Sequence, residues 1–380
     1  MKTVCHVLPY LAEGGTEKTA YNIIRGLKHR YRMLLLAPPG RALDDFLGLD
    51  VLYSGFPPLK GNVLKKIGSY KKTLKKLHET FPLDLLHVHA AHEFVSFSHT
   101  VLPDVPIIFH LHSHQGSDIS KRFNYRLSAR IARRKAETLV AVSDEERRII
   151  VANGFPADRV EVIYNGFDPA GNEDPREVER IRRENGLGGR IVIGNMGRLN
   201  RTKRLDVLIR AFRMLQEKTA LPVSLLIVGE GPERTRLERI VKRSAPRSAP
   251  RSAAERQNGD VVFAGYVNRG DRILKIFDLF VLPTSYEGCS NVLVEAMSKG
   301  LPIVTTDIPS VRWMFEQGSS ALLFRRDDTD DLCRRMQQLV QNRHLRDTLS
   351  RGARKRFEEY FSMDRMLRGV ESVYERTIAK

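Results

Sequence analysis

Four charged residues in the second half of the chain are spaced to meet a bound ligand, two of them an anion. Arg198 and Lys203 lie in GRLNRTKRLDVLIRAF, directly after the apolar run Ile191–Met196. An arginine fork and a lysine point charge, five residues apart in a loop that opens a helix, can grip one bound anion. Glu287 and Glu295 stand eight apart in PTSYEGCSNVLVEAMSKGLPIV. With a helix starting near Ser290, Glu287 sits in the loop before it and Glu295 more than a turn inside. An acid and free backbone N–H groups then face one ligand. The other reading of this string is an ordinary α/β crossover carrying two surface glutamates.

Three further patterns carry chemistry. In AEGGTEKTAYNII, Gly14 and Gly15 separate a strand-like run from a helix-like one, with Thr16 the expected N-cap. Glycines there let an anion approach backbone N–H groups at a helix start. A tight turn explains them equally well, and the spacing is not GxGxxG. IVGEGPER, with Gly231, is another strand–glycine–helix entry, at the strand end where open α/β sheets bind ligands. Histidines concentrate at His87, His89, His92, His99, His110, His112 and His114. On strands, His87 shares a face with His89, and His110 with His112. HxH pairs can ligate zinc. No convergent carboxylates accompany them, so no metal site is assigned. Histidines at strand ends that bond a hydroxylated ligand, or structural buried histidines, remain the two alternatives.

The elements that position these residues follow from the apolar pattern. Short β-rich runs (Thr3–Leu8, Tyr31–Leu36, Leu85–His89, Ile107–His112, Leu139–Val142, Val160–Ile163) alternate with helix-length segments. A second series runs Ile191–Met196, Val223–Val228, Val261–Ala264, Leu279–Leu282 and Ile303–Thr305. Such alternation predicts parallel sheets covered by helices on both faces, and two series in 380 residues predict two similar α/β domains. The Pro/Gly/charge-rich stretch Asp168–Gly189 reads as the boundary, and Arg354–Lys380 as a final helix.

A formal net charge of +18 calls for an anionic partner. Residues 1–169 hold 24 Lys/Arg against 17 Asp/Glu, and 14 of the 24 fall in the acid-free windows Lys60–Lys76 and Lys121–Lys135. The first window is amphipathic, with Val63, Ile67, Tyr70, Leu74 and Leu77 at helical spacing. Both windows, 60–76 and 121–135, suit an anionic membrane surface; for the first the alternative is a lysine-rich helix packed on its own sheet. Neither window interleaves aromatics in a nucleic-acid-binding pattern. Three distant cysteines exclude a disulfide framework and favour a reducing compartment. No apolar run is long enough to span a bilayer, and the N-terminus reads as a strand rather than a signal peptide. Arg243–Ala254, RSAPRSAPRSAA, reads as an expanded surface loop or a basic arm.

Taken in order, the motifs resemble the retaining family 4 glycosyltransferases with the GT-B fold. They are GGTE (14–17), DLLHVH (84–89), IIFHLHS (107–113), VAVSD (140–144), VIYNGFD (162–168), GRLNRTK (197–203), GEGP (229–232), FAGYV (263–267) and EGCSNVLVEAMSKGLPIV (287–304). The resemblance implies two Rossmann-like domains facing a cleft. These are an acceptor-binding domain at 1–170, a linker at 171–189 and a nucleotide-sugar-binding domain at 190–355. A C-terminal helix at 356–380 returns to the first domain. It implies a UDP- or GDP-sugar as donor, with no cofactor or metal. Arg198 and Lys203 would bind the donor diphosphate, Glu295 the ribose and Glu287 the sugar. Gly288, Cys289, Ser290, Asn291 and Val292 would hold sugar and phosphate through their backbone, and Val267 would lie near the base. Gly14 and Gly15 would meet the diphosphate from the first domain, and His112 matches the family's active-site histidine.

The acceptor is expected to be a lipid-linked or cell-envelope glycan at the cytoplasmic membrane face. A soluble acceptor is the alternative, and nucleic acid a distant one. The chain departs from the family pattern at Arg204 (often glycine), Tyr164 (often proline), Cys289 (usually bulky and apolar) and His110 (commonly threonine).

Overall fold

The computed structural model describes residues 1–12, 14–58, 63–112, 118–169, 175–184, 186–244, 260–267 and 270–379. Contacts divide it into two units, Met1–Gly166 with Met363–Lys380, and Phe167–Ser362.

The first unit is built on strands β1 (Thr3–Val7), β2 (Arg32–Ala37), β3 (Leu52–Gly55), β4 (Leu85–His89), β5 (Ile107–Leu111), β6 (Thr138–Ala141) and β7 (Val160–Val162). They form one parallel sheet in the order β3-β2-β1-β4-β5-β6-β7. Its helices are α1 (Gly15–Leu27), α2 (Leu43–Leu47), α3 (Val63–Thr80), α4 (His92–Val101), α5 (Asp118–Lys135) and α6 (Asp144–Ala152). Because successive strand residues alternate faces, each strand feeds two cores. Cys5, Val7, Leu86, Val88, Phe109 and Leu111 pack under one layer of helices. Val4, Leu35, Leu85, Ile108 and Val140 pack on the other side with Ile23 and Ile24 of α1.

The second unit holds β8 (Ile191–Met196), β9 (Val223–Val228), β10 (Val261–Gly265), β11 (Leu279–Leu282), β12 (Ile303–Thr306) and β13 (Leu322–Phe324), in the order β10-β9-β8-β11-β12-β13. Helices α7 (Pro175–Glu184), α8 (Leu205–Lys218), α9 (Arg234–Arg243), α10 (Asn291–Ser298), α11 (Pro309–Arg312), α12 (Thr329–Gln341) and α13 (Arg343–Tyr360) accompany them. The two-domain α/β architecture expected from the sequence is therefore the one observed. In each sheet the strand order reverses once, between β1 and β4 and between β8 and β11. Loops at the carboxyl ends of those strands diverge there and leave a crevice for a ligand.

Two differences from the sequence reading concern the ends of elements. The final segment is two helices, α13 and α14 (Met363–Ile378), not one. The apolar stripe divides with them. Phe357 and Phe361 are buried in the second unit, whereas Met366, Val370, Val373 and Tyr374 enter the core of the first. The edge strands β3 and β13 were not anticipated. LYSG offers no alternation, and LLF has only three residues.

The lysine-rich α3 spends its apolar stripe on its own domain. Tyr70, Leu74 and Leu77 lie in the core with Phe56 and Phe94, while Lys72, Lys75 and Lys76 are exposed. Residues 60–62 of that window and 245–254 of the RSAP segment lie outside the described residues. Among the described residues no helix is long and apolar enough to cross a membrane.

Candidate functional site

In the second unit the expected donor residues gather at the reversal point. β8 ends at Met196, and the chain turns through Gly197 into a short 3-10 turn at Arg201–Lys203. The Oδ1 of Asn200 accepts a hydrogen bond from the Lys203 N–H at 3.2 Å and caps that turn. Across the sheet β11 ends at Leu282, and its loop is stitched to the first one. The Thr202 carbonyl accepts from the Ser285 N–H at 2.7 Å and from the Ser285 Oγ at 3.1 Å. So positioned, the Lys203 ammonium ion-pairs with the Glu287 carboxylate, both side chains more than four-fifths buried. Arg198 is exposed, and its guanidinium makes no ion pair among the described residues.

Beyond Glu287 the chain runs through Gly288 and the buried Cys289 to Ser290, which occupies the N-cap position of α10. The Ser290 side chain makes no capping bond to that helix start. Asn291 and Val292 form its first turn, and Glu295 lies inside it and is 4% exposed. This is the relation that the Glu287–Glu295 spacing anticipated. A helix start beside a buried carboxylate and a lysine suits a phosphate next to a hydroxylated group.

Glycines permit the neighbouring loops to stack backbone on backbone. Gly229, after β9, has φ +131°, and a Cβ there would strike the Gly197 carbonyl. A Cβ on Gly231 would strike the Leu199 carbonyl. The ladder closes with Leu199 N–H to Glu230 O at 2.9 Å and Gly229 N–H to Gly265 O at 2.7 Å. Val267 follows β10 on the same carboxyl-end edge. Arg204 adopts a left-handed conformation, φ 49° and ψ 39°, which L side chains resist by about 1–2 kcal/mol. A glycine would adopt this backbone without that cost. Here ion pairs from Arg204 to Asp206 and Asp327 hold the strained residue.

The first unit carries a second constellation. Gly14, not Thr16, is the N-cap residue of α1, and Gly15 is its first helical residue. Glu17 reaches back, and its Oε1 accepts from the Ala12 N–H at 2.8 Å. The helix therefore starts two residues earlier than a Thr16 cap would place it.

His112 directly follows β5 and is half-buried. Behind it lies a row of fully buried rings: His89, His6, His87 and His110. Burial pushes the imidazole of His6 down to about 3, and that of His112 likewise to about 3. Burial, reinforced by the neighbouring imidazoles, holds His87, His89 and His110 well below 6.5. All five are neutral at pH 7. His92 opens α4 and bonds Ser128, Nδ1 to Oγ 3.0 Å, away from this row. His114 lies outside the described residues.

Sequence reasoning missed His6 and Tyr374. A histidine inside the otherwise apolar strand TVCHV was the available signal for His6. Nothing local marks Tyr374, whose partners lie at the other end of the chain.

Comparison with known proteins gives matches to both halves. Residues 177–356 match the family Glycosyl transferases group 1, and residues 13–170 match Glycosyltransferase Family 4. The chain is 26% identical to the putative glycosyltransferase EpsF of Bacillus subtilis, over 80% of this chain and 79% of that one. It is 25% identical to the capsular polysaccharide biosynthesis glycosyltransferase CapM of Staphylococcus aureus, over 67% and 65% of the two chains. Among solved structures, HepE of Anabaena, crystallised with UDP and glucose, superposes with a TM-score of 0.85 at 19% identity, covering 99% of this chain and 100% of that one. The fold, the two sheets with their reversal points and the family matches agree: the chain belongs to the glycosyltransferases of GT-B architecture.

Proposed function

We propose that this glycosyltransferase moves a sugar from a nucleoside diphosphate donor to a hydroxyl acceptor with retention of anomeric configuration and without a metal. The observation that carries the reading is the Lys203–Glu287 pair at the start of α10, with Arg198 exposed beside it in sequence. Arg198, Lys203 and the helix N-terminus neutralise the diphosphate as its bond to the sugar C1 breaks. The acceptor hydroxyl attacks C1 from the leaving-group side, and its proton passes to a departing phosphate oxygen. Glu295 holds the ribose hydroxyls and Glu287 the sugar. The backbone of Gly288–Val292 lines the phosphate, Gly231 closes the loop behind it, and Val267 borders the base. On the first unit, Gly14 and Gly15 are assigned to phosphate and His112 to sugar. The UDP in HepE supports a uridine nucleotide.

The acceptor in this reading is an envelope or lipid-linked glycan at the cytoplasmic membrane surface. EpsF and CapM, as glycosyltransferase relatives, support the class. Surface contact falls to α5 rather than α3. Arg122, Arg126, Arg130, Arg133 and Arg134 are exposed along α5, and Phe123 among them is 65% exposed. The α3 stripe is occupied by the core.

The test is transfer from a panel of UDP- and GDP-sugars, with product configuration read by NMR. An inverted product, or no stabilisation by any nucleotide sugar in a thermal-shift panel, refutes the reading. A ligand at 100 times its Kd raises stability by about 2.7 kcal/mol. Co-sedimentation with anionic vesicles at low salt separates the membrane-bound acceptor from a soluble one.

A further inference from the structure

Five imidazoles and one phenol form an unbroken single file through the first unit. His110 Nδ1 lies 3.1 Å from His87 Nε2. His87 Nδ1 lies 2.6 Å from the Tyr374 hydroxyl, which lies 3.2 Å from His6 Nε2. His6 Nδ1 lies 3.0 Å from His89 Nε2, and His89 Nδ1 lies 3.0 Å from His112 Nε2. The parallel register builds the file, because His6 pairs with His87 across β1 and β4, and His89 with His110 across β4 and β5.

A neutral imidazole has one N–H and one bare nitrogen, and the phenol one O–H. Six groups thus bring six protons to five links, and an unbroken file allows three orders. In one, every proton points toward His110 and its Nε2 carries an N–H. In another, every proton points toward His112 and its Nδ1 carries the N–H. In the third, Tyr374 accepts from both His87 and His6, both end nitrogens are bare, and the phenol O–H finds no acceptor in the file. The ends are not equivalent. His110 Nε2 is buried with no hydrogen-bond partner, whereas His112 is half-buried and its Nδ1 has no partner among the described residues. The first order strands a buried N–H donor, the third strands the O–H of the fully buried Tyr374, and the second leaves only a bare nitrogen at His110. A stranded buried donor is the costlier of the two.

We propose that this file is a tautomer relay that fixes His112 as a neutral Nδ1–H donor aimed out of the sheet, with His89 as its immediate positioning residue. His110 Nδ1–H donates to His87, His87 Nδ1–H to Tyr374, and Tyr374 O–H to His6. His6 Nδ1–H donates to His89, and His89 Nδ1–H to His112 Nε2. His112 then offers a hydrogen bond to a ligand oxygen and cannot act as a base through the exposed nitrogen. The functional consequence rests on the reading above that His112 serves the sugar; the tautomer does not. Two triads, His6–His87–His89 and His89–His110–His112, have ligand atoms within 4.8 Å of one another. In the file, however, those nitrogens pair head to tail rather than turning lone pairs on one point, and no carboxylate joins them to balance a dication.

The experiment is ring-nitrogen NMR of the full chain labelled with ¹⁵N-histidine, with His112 assigned by its loss in His112→Asn. The expected result at pH 7.5, without ligand, is a neutral His112 protonated on Nδ1. A His112 protonated on Nε2, a charged ring, or stoichiometric zinc bound to the row overturns the proposal whether or not the enzyme turns over. His89→Leu should release His112 to the Nε2–H form that free imidazole side chains prefer and lower kcat about tenfold with little change in KM for the nucleotide sugar. His89→Asn, whose amide can replace the Nδ1–H donor, should restore both. Equal losses in the two variants with an unmoved His112 tautomer would also overturn it.

Discussion

Lys203 and Glu287 form an ion pair that bridges the carboxyl ends of β8 and β11, so in the ligand-free protein the cation expected to meet a diphosphate is already engaged. A bound diphosphate must draw Lys203 away from Glu287 or share it. Lys203→Ala and Arg198→Ala should each reduce kcat by about 10²-fold, the usual loss when one charge-stabilising donor is removed. The two should separate in stability. Lys203→Ala leaves a mostly buried carboxylate unpaired and should cost about 1–3 kcal/mol, read as a lower urea midpoint. Arg198→Ala, at an exposed guanidinium, should leave that midpoint in place.

Glu295 is buried within α10, and its carboxylate is proposed to hold the ribose. Glu295→Gln keeps the shape and loses the charge. Nucleotide diphosphate affinity should fall about tenfold or more by calorimetry, while the melting temperature shifts little. A large melting shift with unchanged affinity would assign Glu295 to the fold instead.

Gly231 lies against the Leu199 carbonyl, where no Cβ fits. Gly231→Ala must therefore push apart the loops after β8 and β9, at about 1–3 kcal/mol. Because the Arg201–Lys203 turn continues the displaced loop, nucleotide binding should weaken together with stability. Gly154→Ala provides a contrast. Its cost comes from a φ of +96° rather than from a clash, and binding should be untouched.

The buried histidines dictate a pH dependence of folding. Their folded-state values are depressed, to about 3 for His6 and His112, from an ordinary 6.5. Below 6.5 the unfolded chain therefore binds protons that the native protein excludes. Stability is complete above 6.5 and falls as pH drops toward 3. Each such histidine contributes a slope of up to about 1.4 kcal/mol per pH unit in that window. Urea titrations between pH 7.5 and 5.5 should show a steep decline, and His6→Asn should flatten it by close to one proton's worth. A flat profile would contradict the burial of the row.

Chelation offers a direct check on the chemistry. With Arg198, Lys203 and the α10 N-terminus supplying the positive potential, turnover should survive excess EDTA. Loss of activity that zinc restores would shift attention to the histidine triads.

Most of the fold was legible because buried parallel strands are apolar runs of four to six residues between helix-length segments. Leu85–His89, Ile191–Met196, Val223–Val228 and Leu279–Leu282 appear with the bounds that their composition suggested. What escaped was set by tertiary contact. LYSG and LLF are strands only because a neighbour's backbone pairs with them. The break at Phe361–Ser362 that separates α13 from α14 has no glycine or proline to mark it. The Glu287–Glu295 relation was readable because both residues lie within one loop–helix unit. The bond between Tyr374 and His6 was not, since no local pattern ties a tyrosine near one end of a chain to a histidine near the other.

That bond spans 368 positions of sequence. Met366, Val370, Val373 and Tyr374 complete a core whose other members are synthesised first. On a ribosome adding about 5–20 residues per second, the first sheet must wait tens of seconds with an open apolar face while the whole second unit emerges. The second unit, contiguous from Phe167 to Ser362, closes its core before its predecessor can. The domain made first is thus finished last, and its nascent form is the one that needs shielding in the cell.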